Sequence, residues 1–516
     1  VKTLILADCL TLDPTRPRAE ALVLEEGTIR FVGSRGDAAA FAGDGVQTLT
    51  FAGTVVPGFI DSHLHFLSFG LGLARFADLS GTGTISEVLE RLASHASNWA
   101  GPWVQGRGFD QDRLEERRFP TRADLDEAVS DRPAVITRVC GHALIANSKA
   151  IALLTDEERR AGDEASGLYT ETAMGAFYRR IPPPDETEQA EAVQRAARVA
   201  LGCGITTVGT LLDTPEQMAA FSRLQRRGGL PLRVVGMPPQ TSADPLSQHG
   251  IGTTFGDDWL RFGGAKFFSD GSLGARTALM AAPYSDVTTN PHGLGIRIYD
   301  PEVLKTRCRE VQNKGFQLVI HAIGDQAVRE SLDAIEFALG DESNAFHRHR
   351  IEHASILPPD LLERMARKGI LAVVQPQFVT SDIWTGERVG AERARGAYPF
   401  KTMLGAGIPL ALSSDCPVER LDSRLCLAAA VGRAPWSPDE CLTPLEALTA
   451  YTLGSAYALH RETDLGSLRV GKRADLALLD RDPTGLGEKE LRAVKIEAVF
   501  VNGERVKEES AHPSGN

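Results

Sequence analysis

The chain has 516 residues, 42% of them hydrophobic and 24% charged, the balance of a globular enzyme and too much chain for one small domain. Its formal net charge is −12 and no Lys/Arg cluster stands clear of acidic neighbours, so nothing in it favours nucleic acid; a small or neutral partner is expected. Seven cysteines, never in a C-x-x-C pair, argue against a disulfide framework or a cysteine zinc knuckle, and no apolar run of about 18 residues or of signal-peptide type occurs, so a cytoplasmic protein with reduced thiols and no membrane partner is expected.

Residues 1–52 carry strand periodicity broken by turn signals, as in "ALVLEEGTIRFVGS", where Gly27 separates two aliphatic runs. Next comes "VVPGFIDSHLH", a buried-strand pattern that ends in Asp61, His63 and His65. Side chains alternate along a strand, so the two imidazoles face one way, roughly 6.6 Å apart along the chain. Both can reach one metal ion, although a lone H-x-H also suits a half-buried polar strand end. The stretch from about 66 to 200 is longer than one crossover needs, so "AVITRVC" is assigned to an insertion there. "RRIPPPDE" breaks the helical pattern inside it, and His142 in "VCGHALIANSKA" is either a substrate or oxyanion contact or a structural loop residue.

Beyond the insertion, short strands alternate with helices, the pattern of a parallel sheet with crossover helices: "ITTVGTL", "LPLRVVGM", "FGGAKFF", "FQLVIHA", "RIEHA", "ILAVVQP" and "IPLALSS". With the His63 strand these make eight, the number a closed barrel needs. His321, His353 and Asp415 fall at strand ends, where a barrel's catalytic groups converge. Lys266 within "GAKFF" reads alone as a lysine that snorkels to solvent. Asp270 and Ser272 either line a site or shape the turn at Gly271, and Asp110 in "GRGFDQD" is a site residue or a helix cap. At the end of the chain, "ADLALLD" and "VKIEAVFVNGERVKE" return to strand periodicity, with Asn502 and Gly503 as a tight-hairpin pair. Neither end makes a stable sheet alone, so 1–52 and 466–510 are expected to meet in one small β domain, with 53–465 inserted between them.

These segments, with "GAKFFSDGSLGARTA", "PTRADLDEAVSDRPAVITRVCGHALIANSKA", "SSDCPV" and "GSLRVGKRADLALLD", resemble the metal-dependent amidohydrolase superfamily and, within it, the amidohydrolase family 3 (YtcJ-like) branch, in that branch's order and over nearly the whole chain. The resemblance implies a distorted (β/α)8 TIM-like barrel with a β-sandwich built from both termini and a large insertion after the first barrel strand. It implies that His63 and His65 hold one metal with Asp415, that His321 and His353 hold a second, and that Lys266, carbamylated, bridges the two. A divalent ion, zinc by preference and present as one or two ions, would turn water into hydroxide near neutral pH and polarise a carbonyl, while Asp415 moves the proton. Asp415 could instead serve as a helix cap.

The expected activity is hydrolysis of a nonpeptide C–N bond (amide, formamide, carbamate or similar) of a small molecule. The rivals are a single-metal deaminase or isomerase on the same scaffold, and a catalytically silent metabolite-binding or regulatory protein. His142 and Asp270 are candidate substrate contacts. An enzyme of this size often forms a homodimer, though the sequence leaves this open.

Overall fold

The computed structural model describes residues 2–111, 113–138, 143–212, 214–286, 293–340, 347–432 and 437–506. Asn502 and Gly503 adopt φ of 53° and 78°, the left-handed pair that a two-residue hairpin requires, and Val501 pairs with Glu504 across them. Glu26 and Gly27 (φ 52° and 72°) turn the chain in the same way between Glu25 and Thr28.

These hairpins flank one seven-stranded sheet made from both ends of the chain. Its order is Glu504–Arg505, Ile496–Val501, Leu476–Leu479, Gln47–Pro57, Lys2–Leu10, Arg18–Glu25, Thr28–Gly33. The join is the antiparallel pairing of Leu476–Leu479 with Thr54–Pro57. Ile5, Leu22, Leu24, Leu476, Leu478 and Phe500 cluster in one core of this sheet. Leu4, Ala21 and Val23 pack in a second cluster with Ala38 and Ala42 of the helix Arg35–Ala42.

In the same compact unit, residues 1–66 and 197–516, two parallel sheets carry the strands read from the sequence. One runs Leu260–Phe262, Arg233–Met237, Ile205–Leu211, Phe59–Leu64; the other runs Ala265–Phe268, Leu318–Ala322, Arg350–His353, Leu371–Val374, Leu410–Leu412. Leu260–Phe262 is a short extra strand just ahead of Ala265–Phe268. Phe59–Leu64 and Leu371–Val374 are buried at every residue; the second reads as an unbroken apolar run, while the first buries Asp61, Ser62 and His63 as well. A parallel bridge joins Pro239 to Lys266 between the sheets. On the other side, Ser62 Oγ donates to the Leu412 carbonyl at 2.9 Å and the Asp415 N–H to the His63 carbonyl at 2.9 Å.

Residues 67–196 form the second unit. It has a five-stranded mixed sheet that includes Ala134–Arg138 of "AVITRVC", and cores of its own around Val88, Leu92, Val104 and Ile136 and around Tyr169 and Phe177. Cys9, Cys203, Cys308, Cys416 and Cys426 are buried thiols. Among the described residues, no helix is long and apolar enough to cross a membrane.

Arg233, on a parallel strand, is fully buried against Asp475, beside the terminal sheet. Its Nε and Nη2 donate to the two carboxylate oxygens at 2.7 and 3.0 Å, and Asp475 Oδ1 also accepts the Asn502 N–H at 2.8 Å. Removing one partner leaves a buried charge unpaired, so Asp475→Ala is expected to lower stability by about 3–5 kcal/mol, read as the shift in urea unfolding followed by circular dichroism.

Candidate metal centre

His63, Lys266, His321 and His353 lie on parallel strands, and His65 and Asp415 lie just beyond strand ends. His63 Nε2 and His65 Nε2 stand 3.3 and 3.7 Å from Asp415 Oδ1. One ligand atom from each of these three residues lies within 4.8 Å of the other two, a spacing that can hold a metal ion. Asp415 Oδ1 is buried with no hydrogen-bond partner among the described residues. An acceptor-only oxygen turned to two imidazole nitrogens, with no proton donor to satisfy it, fits the donor chemistry of zinc and its neighbours.

The other candidates close around this trio. The His353 ring centroid is 5.2 Å from that of His63 and 4.4 Å from that of His321. Lys266 is buried, with Nζ 4.8 Å from the Phe268 ring centroid, and its charge acts on His63, His353, Glu352 and Asp415. Two of these residues leave extended geometry: His353 has φ 73° and Asp415 φ 56°. Such left-handed backbone is costly for residues other than glycine and persists only where the surroundings enforce it.

Partners of the rings fix their tautomers. His63 Nδ1 meets Glu352 Oε2, His353 Nδ1 meets Gln375 Oε1 at 2.7 Å, and His321 Nε2 meets the Gly271 carbonyl at 3.1 Å. Ser413 Oγ donates its own proton to the Val374 carbonyl at 3.3 Å and so accepts from Gln375 Nε2 at 2.9 Å, which turns the amide oxygen to His353. Each oxygen can only accept, so those ring nitrogens carry the protons. Nε2 of His63, Nε2 of His353 and Nδ1 of His321 are left as lone-pair donors.

The electrostatics agree. Burial, followed by the charges of His321, His63 and Lys266, pushes His353 well below the ordinary histidine value, so its ring is neutral at pH 7. Burial opposes ionisation of Glu352, yet Arg350, His63 and Lys266 hold it down at about 2. Burial likewise works against the Asp415 carboxylate, but His63, His65 and Lys266 outweigh it and lower its pKa. Burial and Lys266 disfavour a protonated His63, while Glu352 and Asp415 outweigh them and raise it. That point of the fold therefore favours positive charge, which a proton or a metal ion can supply.

Asp270 is buried, and its oxygens accept the N–H groups of Leu279, Ile323 and Gly324 at 2.9, 3.1 and 2.9 Å. It clamps the turn after the Lys266 strand to the end of the His321 strand. Ser272 helps close that turn, its N–H donating to Thr277 Oγ1 at 2.9 Å. In the second unit Asp110 pairs with Arg138 at 2.7 Å. His142 lies outside the described residues. The sequence reading missed Glu352, Arg350 and Gln375. Strand alternation assigns Glu352 and His353 to opposite faces, and only the turn in φ at His353 brings both to His63.

The sequence profile of the amidohydrolase family matches residues 53–507. YtcJ of Bacillus subtilis is 30% identical over 96% of this chain and 97% of its own. The N-substituted formamide deformylase of Arthrobacter pascens is 30% identical over 97% of each chain. A crystal structure of an uncharacterized metal-dependent hydrolase from Pyrococcus furiosus matches with a TM-score of 0.82 and 32% identity, covering 94% of this chain and 100% of that one. The fold is accordingly TIM-barrel-like α/β.

Asp61 ties the His63 strand to Asp415. Its carboxylate accepts the Ser414 N–H at 3.2 and 3.1 Å and the Tyr451 hydroxyl at 3.0 Å. Tyr451→Phe removes one hydrogen bond to a charged group and is expected to cost about 1.5–3 kcal/mol. Asp61→Ala removes the acceptor of the Ser414 N–H, the Tyr451 hydroxyl and the His63 N–H together and is expected to cost more. Urea unfolding of the two variants checks the order.

Proposed function

Because this chain belongs to the amidohydrolase family, we propose that it is a metal-dependent hydrolase that cleaves a nonpeptide carbon–nitrogen bond in a small molecule. The observation that carries this reading is the meeting of His63, His65 and the unsatisfied Asp415 Oδ1. In it, these three hold a divalent ion, zinc by the chemistry of two imidazoles and a carboxylate, and His321 and His353 serve a second. An ammonium has donors only, so Lys266 takes part as a carbamate formed from its neutral amine and carbon dioxide with release of one proton. A divalent ion held there makes water acidic near neutral pH and polarises a carbonyl.

The protein's own groups do the rest. The Asp415 carboxylate accepts the proton of the attacking water and returns it to the leaving nitrogen. Asp61 and the Asp415 N–H bond to the His63 carbonyl keep that carboxylate in place through the reaction. The closed eight-stranded barrel belongs to the same reading, supported by the Pro239–Lys266 bridge at one seam and the Ser62–Leu412 and His63–Asp415 hydrogen bonds at the other. N-substituted formamides are the first substrate class to test, since a relative matched over 97% of both chains bears that name.

Elemental analysis of the purified protein is expected to find zinc or a neighbouring divalent metal, and the His63→Ala/His65→Ala double variant is expected to retain at least about tenfold less. Equal metal in the two proteins would refute the site. Asp415→Asn is expected to lower kcat about 10²–10⁴-fold on any amide or formamide that the metal-replete protein hydrolyses. A metal-replete protein inert towards a panel of formamides, N-acyl compounds and carbamates would refute the hydrolase assignment.

A further inference from the structure

Arg350, Glu352 and His63 form a chain of ionisable groups inside the fold, exposed by 0%, 0% and 1%. Arg350 Nε lies 2.7 Å from Glu352 Oε1, and Glu352 Oε2 meets Nδ1 of His63. The guanidinium also donates to the Ala458 carbonyl at 3.2 Å and to the Ser62 carbonyl at 3.3 Å, and it approaches Met237 Sδ at 2.6 Å. Arg350 therefore forms an ion pair with the carboxylate on the His63 ring, its Nε and Oε1 close but not in hydrogen-bond geometry, and hydrogen-bonds the backbone one residue before it. A buried ion pair of this kind adds little stability over apolar residues of similar volume, so fold stability alone does not explain it.

The ring nitrogens of His353 and His321 lean on uncharged groups instead. His353 leans on the neutral amide of Gln375, and His321 on the carbonyl of Gly271. Asp270 comes within 3.4 Å of His321 Nε2, but its oxygens already accept three backbone N–H groups. A carboxylate behind an imidazole orients the ring and makes its far nitrogen a stronger donor, whereas a neutral carbonyl mainly orients it.

We propose that Glu352, clamped by Arg350, is a positioning residue that makes the His63 side the tight-binding half of the site, so that the first divalent ion settles among His63, His65 and Asp415. This rests on the hydrolase reading only in requiring that the site bind metal. Glu352 touches neither substrate nor metal; it acts through the His63 ring, whose Nε2 it aims at Asp415.

The test is a zinc titration of chelator-stripped full-length protein in competition with a chromophoric chelator, with the melting temperature of each stripped protein measured alongside. Glu352→Gln keeps the shape and removes the charge, and it is expected to weaken the tightest zinc-binding event about 10- to 100-fold. Arg350→Met/Glu352→Gln leaves no unpaired buried charge, and it is expected to melt no lower than Glu352→Gln while binding zinc as weakly. A folded variant that binds its first zinc as tightly as the wild type overturns the proposal and leaves the hydrolase reading intact. Failure of both variants to fold assigns the pair a structural role and also overturns it. Wild-type protein that binds neither zinc nor a neighbouring divalent metal overturns the hydrolase reading as well.

Discussion

The site depends on the contact between the first and last strands of the parallel sheets. Asp61 and Ser414 are 353 positions apart in sequence, yet both Asp61 oxygens take the Ser414 N–H, and the next residue, Asp415, donates its own N–H to the His63 carbonyl. A carboxylate is expensive to bury, and burial pushes Asp61 up to about 6 even with hydrogen bonds from Ser414, Tyr451 and the His63 N–H opposing it. The fold tolerates this because the same bonds hold Asp415 against the two imidazoles. Shift that contact by one residue, and the strand alternation would turn His63 and His65 away from Asp415.

Around the contact, buried charges of both signs are interleaved. Lys266 and Arg350 face Glu352 and Asp415, and the result differs from group to group. Glu352 stays ionised because Arg350 touches it, while His353, with cations around it and only an amide on Nδ1, stays neutral. Neutral imidazoles and ionised carboxylates are the states a divalent ion needs in its ligands. At His353 and Asp415 the charge pattern and the donor geometry thus agree, whereas His63, raised by Glu352 and Asp415, would release a proton to take a metal ion.

Much of this arrangement is legible in the sequence, for identifiable reasons. Strands such as Leu371–Val374 and Leu476–Leu479, buried at every residue, read as apolar runs, the pair at Asn502 and Gly503 marks a hairpin, and the two-residue period puts His63 and His65 on one face. What the sequence hides is what local rules cannot reach. Glu352 sits one residue from His353, where alternation excludes it, and only a left-handed φ at His353 undoes that exclusion. Arg233 and Asp475 meet across 242 positions, so neither predicts the other. Gln375 has no motif of its own, and its role appears only once the His353 ring lies beside it.

The Asp-Gly-Ser turn after the Lys266 strand shows how the His321 side is built by backbone rather than by charge. The helix Asp325–Leu339 begins at Gly324 without a side-chain cap of its own. Asp270 supplies one from the turn after the Lys266 strand, accepting the N–H groups of Ile323 and Gly324, where a helix start also favours negative charge. Gly271 then passes so close to Thr277 that a Cβ would lie 2.2 Å from its Oγ1, and its carbonyl takes the Nε2 proton of His321. The aspartate is needed to hold the helix start and the glycine to let the turn come near. His321 is thereby oriented by a turn and a helix end, and His63 by a buried ion pair, so the two sides of one site answer to different physical controls.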